Sequence, residues 1–181
     1  DGATRHVPTK VIQIDGKYYA KINSLTNSTY SVVWHPLEFD DVANHWAKDA
    51  VNDMGSRMVI EGIGNGLFDP DRDITRAEFA AIIVRALGLK PESGASFFSD
   101  VRESDWYNSA VRTAYMYHLA DGFEDGTFRP NDRITREQAM VIIARSMTIT
   151  NLKAKLAVQS AVAVLQPYQD AAEASAWAVS S

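Results

Sequence analysis

Residues 68–86 read FDPDRDITRAEFAAIIVRA and residues 128–146 read FRPNDRITREQAMVIIARS. The two stretches align without a gap at an offset of 60, and the same offset pairs Trp46 with Trp106. Over 60–85 against 120–145, ten of 26 positions are identical, where chance gives roughly one or two. The chain is therefore built on a duplication, and the fold question becomes what one unit of it forms.

Each unit reads as helix, loop, helix. In the first, a helix capped near Asn44 carries Ala47, Ala50, Val51, Met54 and Met58 at helical period. Its counterpart, opened by Ser104, carries Trp106, Ala110, Val111, Ala114 and Met116. The stretches 60–73 and 120–133 are dense in Gly, Asp, Asn and Pro and predict turn-rich surface loops anchored by Phe68 and Phe128. Thr75 and Thr135 open the second helices, with Glu78 and Gln138 three residues on as capping-box partners. Phe79, Ile82, Ile83, Ala86 and Leu87 are expected to face inward, and Gly88 to stop the first copy.

The flanks differ from the units. Residues 11–22 alternate around Asp15-Gly16, a two-residue hairpin signal, and Tyr30–Trp34 adds a candidate strand before Pro36, so a small β-meander is expected at 8–35. The Ala-rich stretch 152–166 predicts a connecting helix stopped by Pro167. A third start follows: Tyr168-Gln169-Asp170 and then Trp177 echo Phe39-Asp40-Asp41 with Trp46, and Phe98-Ser99-Asp100 with Trp106. If this third start shares a core with the earlier units, Trp177 should be substantially buried.

Composition narrows the chemistry. The 181 residues hold no cysteine, which excludes disulfides, thiolate nucleophiles and cysteine-bound metals. Net charge is −5, with +2 on residues 1–37, −7 on 38–150 and 0 on 151–181; nucleic-acid and acidic-membrane binders are normally basic. No apolar run is long enough to span a membrane, and the first residues do not open a signal peptide, so any export signal is expected outside them. The acids lie in turns and on helix surfaces, where solvation or capping accounts for them, so no enzyme is expected. His6, His35, His45 and His118 show no paired metal spacing. Asp69, Asp71 and Asp73 imitate the start of a calcium loop, but Ile74 and Ala80 stand where that loop needs Gly and Glu. No metal and no cofactor is expected.

Arg76 and Arg136 resist a bland reading. Each is the first residue of a helix, where the macrodipole opposes a cation and free N–H groups attract an anion. One negatively charged ligand group facing both would explain the pair; a structural arginine serving the neighbouring unit is the alternative. Trp46, Trp106 and Trp177 are similarly either packing residues or platforms for a sugar ring.

Taken together, F-x-D-V, a Trp, a Gly-containing loop with F-x-P, and ITRAEF or ITREQA resemble S-layer homology repeats, with two full copies in 39–147 and the start of another in 168–181. The resemblance implies a mainly α fold: tandem helix-loop-helix repeats in a pseudo-threefold module with an incomplete third repeat. The corresponding boundaries are 1–37 for the meander or a linker from a preceding domain, 38–89 for repeat 1, 97–148 for repeat 2, and 149–181 for the connecting helix and third start. It also implies an extracellular, noncovalent wall anchor that binds a secondary cell-wall polysaccharide, commonly pyruvylated, in grooves between repeats, and that is fused to a secreted cargo. By motif, Arg76 and Arg136 would hold the acid group, and Asp41, Asp100 and Asp170 would accept sugar hydroxyls or orient the arginines. Gly62 and Gly122 would let the loop backbone approach the ligand. With the third repeat incomplete, at least one groove should lack a wall. A protein-interaction or self-assembly module without glycan binding is the competing reading.

Overall fold

The computed structural model describes residues 4–24, 27–155 and 167–179. At the N-terminus, β1 (Thr9–Ile14) and β2 (Lys17–Ile22) pair antiparallel with Thr9 opposite Ile22 and Ile14 opposite Lys17. Asp15 (φ 50°) and Gly16 (φ 77°) make the turn, the positive-φ pair that matches strand twist in a tight hairpin. The expected third strand does not form. Among the described residues Tyr30–Trp34 is not part of a strand, and Val32 and Trp34 are exposed; the described sheet is a two-stranded hairpin rather than a meander, with no further sheet face there for these side chains to cover.

Four helices carry the two units: α1 (Lys48–Ser56), α2 (Arg76–Ala86), α3 (Asn108–Met116) and α4 (Arg136–Ile149). The last helix among the described residues, α5 (Ala176–Val179), is short and follows a 3-10 turn at Ala171–Glu173. The expected helix over 152–166 lies largely outside the described residues, which hold a 3-10 turn at Lys153–Lys155.

Thr75 and Thr135 each accept the N–H of the residue three on, and Glu78 and Gln138 reach back to the cap amides, closing both capping boxes. At the other end of α2, the Gly88 N–H donates to Arg85 O (2.9 Å) and Leu89 N–H to Val84 O (3.1 Å), with Gly88 left-handed at φ 64°, a Schellman stop. The first helices of the units start later than expected. Neither Asn44 nor Ser104 caps them; Ala47 and Tyr107 occupy the N-cap positions without side-chain bonds. Trp46 and Trp106 therefore stand before the helices and escape their buried stripes. Ala50 and Met116 are exposed as well, since Met116 lies about 140° round the helix from Val111.

Two apolar cores result. Phe39, Val42, Val51, Val59 and Ile60 form the first, with Ile82 and Ala86 of α2 against it. The second gathers Ala77, Ala80 and Val84 of α2 with Val111, Ala114, Leu119, Phe128 and Ile142, and Phe79, Ile83 and Leu87 pack on it. Helix α2 is thus wedged between the cores and buries most of its circumference, which is why its apolar residues exceed one stripe. Trp177 is not in either core. It is 50% exposed, contrary to the burial expected of a shared third core, because Ala176–Val179 lies on the surface of α4 and does not enter a core.

Candidate functional site

Each unit closes its loop with the aspartate that follows its aromatic start. The Asp41 carboxylate accepts the N–H groups of Phe68 (3.0 Å) and Asp69 (2.6 Å). Asp100 does the same for Phe128 (2.7 Å) and Arg129 (2.8 Å). These bonds hold Asp69 (φ 60°) and Arg129 (φ 55°) in the left-handed region, where a non-glycine residue needs such support. The bond from the Phe68 N–H, with that from Asp69, holds the Asp41 carboxyl below the ordinary range.

The paired glycines have a steric cause. A Cβ on Gly122 would lie 2.2 Å from a carbon of the Phe98 ring and 2.6 Å from Thr127 O; on Gly62 it would lie 2.6 Å from the Phe39 ring and 2.3 Å from Leu67 O. The loop passes so close to the unit's own aromatic start that no side chain fits between them.

Arg76 is the unusual group. Only 7% exposed, it reaches from α2 into the loop of the next unit, donating from Nε to Phe128 O (2.9 Å) and from Nη2 to Asp121 O (3.2 Å). Its guanidinium lies 4.9 Å from the Phe123 ring centre and 4.8 Å from that of Phe128. The backbone of the same helix start is occupied too: Arg76 N–H donates to Asp132 O (2.9 Å) and Ala77 N–H to Pro130 O (3.0 Å). Burial pushes the Arg76 pKa below the usual guanidinium range, and Asp132 opposes that shift. Arg136, its counterpart by motif, is exposed, with no following loop folded onto it among the described residues.

A groove of about 660 Å³ opens beside Arg76. Its floor and walls include Gly122 and Phe123 from the loop, Gln138 and Arg145 from α4, and Trp177 from α5. Arg145 is paired with Asp121 (2.6 Å). On the rim, Arg129 covers the Phe123 ring (3.9 Å) and pairs with Asp125 (3.0 Å); the Thr127 hydroxyl and Arg129 lower the Asp125 carboxyl to about 2. Phe123, Arg129, Gln138 and Arg145 were not singled out as site residues from sequence, although the identity of Arg85 and Arg145 in the repeat marks that position.

The corresponding surface one unit earlier is a smaller groove of about 490 Å³, with Gly62, Glu78, Arg85 and Trp106. It holds no buried arginine. Arg72 there is tied to Glu78 (2.7 Å), and Arg85 to Glu61 (3.0 Å). Trp106 is 63% exposed at this groove, while Trp46, 91% exposed, lines neither. Asp170 is an exposed residue ahead of the Ala171–Glu173 turn, makes no side-chain cap bond, and lies outside both grooves. Asp69, Asp71 and Asp73 face three different side chains, Arg72 (3.9 Å), His45 (3.4 Å) and Arg133 (2.7 Å), and do not converge.

Comparison with known proteins agrees with the repeat. The S-layer homology domain family matches residues 38–80 and 97–140. An amylopullulanase of Thermoanaerobacterium thermosulfurigenes is 37% identical over 139 residues, 74% of this chain and 7% of that protein. Endo-1,4-beta-xylanase A of Thermoanaerobacterium saccharolyticum is 42% identical over 115 residues, 63% of this chain and 10% of that protein. A surface layer protein of Brevibacillus choshinensis is 34% identical over 139 residues, 70% of this chain and 12% of that protein. The chain spans about a tenth of the length of these relatives. With its two matched repeats at 38–80 and 97–140, the chain belongs to the S-layer homology domain family.

Proposed function

We propose that this chain is a non-catalytic anchoring module of a bacterial cell surface, binding a secondary cell-wall polysaccharide noncovalently in the groove of Arg76, Gly122 and Trp177. The catalytic names among its relatives belong to far larger proteins, so a secreted cargo elsewhere in the parent protein would carry any activity. The ligand group that fits is the carboxylate of a pyruvylated amino sugar.

One observation carries this reading. The Arg76 guanidinium is buried, braced by two carbonyls and two phenylalanine rings, and lines an open groove with no hydrogen bond from Nη1 among the described residues. A cation so fixed loses little freedom on binding a carboxylate, and its partly desolvated setting strengthens the contact. Trp177 in the same lining offers a flat apolar surface to a sugar ring. With three arginines and three acids lining the groove, long-range attraction is small, so affinity should vary weakly with salt. The groove at Trp106 lacks the buried cation and is the weaker candidate.

The test is calorimetric titration with a pyruvate-ketal N-acetylhexosamine glycoside and with its ketal-free parent, beside pull-down on sacculi before and after the secondary polymer is stripped. Tighter binding of the ketal sugar and loss of pull-down on stripped walls are expected. Equal retention on stripped walls would instead favour a protein-interaction or self-assembly module.

A further inference from the structure

We propose that Glu137 is a positioning residue for this groove, holding Trp177 at its wall through Ser175; the inference rests on the glycan reading above. The two units dock their neighbours differently at the second helix start. At α2 the Arg76 and Ala77 N–H groups donate to Asp132 and Pro130 carbonyls of the next loop, and the Arg76 side chain adds bonds to the Phe128 and Asp121 carbonyls. Ala77 is buried there and has no polar side chain to contribute. At α4 the equivalent position is Glu137, and the docking runs through its side chain.

Both carboxylate oxygens are engaged. The Ser175 N–H donates to Oε1 (2.7 Å) and the Ser175 hydroxyl to Oε2 (2.9 Å). Ser175 is in turn the origin of α5, because Ala178 and Val179 N–H groups donate back to its carbonyl (2.9 and 3.1 Å). A two-point, charge-assisted grip on Ser175 therefore fixes both the place and the direction of the turn that carries Trp177. The negative charge also sits in the first turn of α4, where the helix dipole favours it. Glu137 does not line the groove, whereas its neighbour Gln138 and Trp177 both do. It acts on a ligand only by setting Trp177 in the lining that Arg76 shares, and the shift from ITRAE to ITREQ puts the carboxylate one residue earlier, where it can reach Ser175.

The experiment uses the 181-residue chain with Glu137→Ala, Glu137→Gln, Trp177→Ala and the double variant Glu137→Ala/Trp177→Ala. The ligand-free readout is amide hydrogen exchange at Ala178 and Val179; the binding readout is affinity for the pyruvate-ketal N-acetylhexosamine glycoside. Glu137→Ala should speed exchange at both amides and weaken binding about tenfold, the scale of a lost ring-stacking contact. Glu137→Gln, which keeps an acceptor, should recover part of both. In the Trp177→Ala background, Glu137→Ala should change affinity less than about twofold, because the two act as one unit. Unchanged exchange in Glu137→Ala overturns the clamp whatever the chain binds, and full additivity of the two binding losses overturns action through Trp177. Loosened exchange in a chain whose wild type does not bind the ketal sugar overturns the groove reading, and with it the role of Glu137 in that binding.

Discussion

Arg76 and Phe128 are joined by a hydrogen bond of 2.9 Å between a side-chain Nε and a main-chain carbonyl 52 positions away. That bond ties the second helix of one repeat to the loop of the next, so the residue best suited to meet an anion also holds the repeats together. If the proposed site is right, binding and stability are coupled at this position.

Arg76→Ala should lower unfolding free energy by about 2–3 kcal/mol, the scale of losing charge-assisted bonds to buried carbonyls, along with most glycan binding. Arg136→Ala, at an exposed counterpart, should change stability by less than about 0.5 kcal/mol. Denaturant titration of both variants checks the contrast, and equal losses would contradict it. Lys48 makes a suitable exposed control. Arg112 does not, because it donates to the Ala95 carbonyl and covers the Phe97 ring.

Gly122→Ala should destabilise by about 1–3 kcal/mol through overpacking, since the new methyl meets Phe98 and Thr127 O. Pairing it with Phe98→Leu, which withdraws the ring, should restore part of that loss. Thermal melts of the single and double variants decide it; a Gly122→Ala chain as stable as wild type would show that the loop can move aside.

Acid should weaken the first loop before the fold as a whole is lost. The Asp41 pKa is lowered from 3.8, chiefly by the Phe68 N–H, so its contribution is full above that value and fades as pH falls through the lower folded-state value. Hydrogen exchange at Phe68 and Asp69 should rise below about pH 4. In Asp41→Asn the rise should be absent, with exchange already faster at neutral pH.

The N-terminal arm has its own titration. His6 and Pro8 press against Gly88, where a Cβ would stand 2.8 Å from the Pro8 ring. Burial pushes the His6 pKa below 6.5, the Arg57 charge adds to this, and a hydrogen bond with the Arg57 backbone opposes it. The neutral imidazole is therefore the packed form: its contribution is complete above 6.5 and is lost as pH falls from there toward the folded-state value. Limited proteolysis of residues 4–8 should speed up between about pH 7 and 5 in wild type and not in His6→Phe. A pH-independent cleavage rate in wild type would refute the linkage.

Much of this architecture was legible in the sequence because it depends on contacts a few residues long. Capping boxes at Thr75–Glu78 and Thr135–Gln138, the stop at Gly88 and the turn at Asp15–Gly16 are local hydrogen-bond and φ requirements, and each is encoded by the residues that make it. The duplication itself was readable as a fixed offset of 60. Tyr30–Trp34 misled because β-prone residues form a strand only beside a partner edge, and the sheet among the described residues is β1 with β2 alone.

Tertiary structure decided what identical motifs become. Arg76 and Arg136 share the same I-T-R context, yet one is buried under the loop of the following repeat and the other is exposed. Asp41 and Asp100 carry charges a sugar hydroxyl could meet, but main-chain amides brought in from 27 to 29 residues away engage their oxygens. Trp46, Trp106 and Trp177 likewise end in different surroundings, set by which loop and helix pack beside each one. Local sequence determines a residue's helix position and charge; burial and hydrogen-bond partners come from chain segments far away in sequence, and only packing specifies which segment arrives.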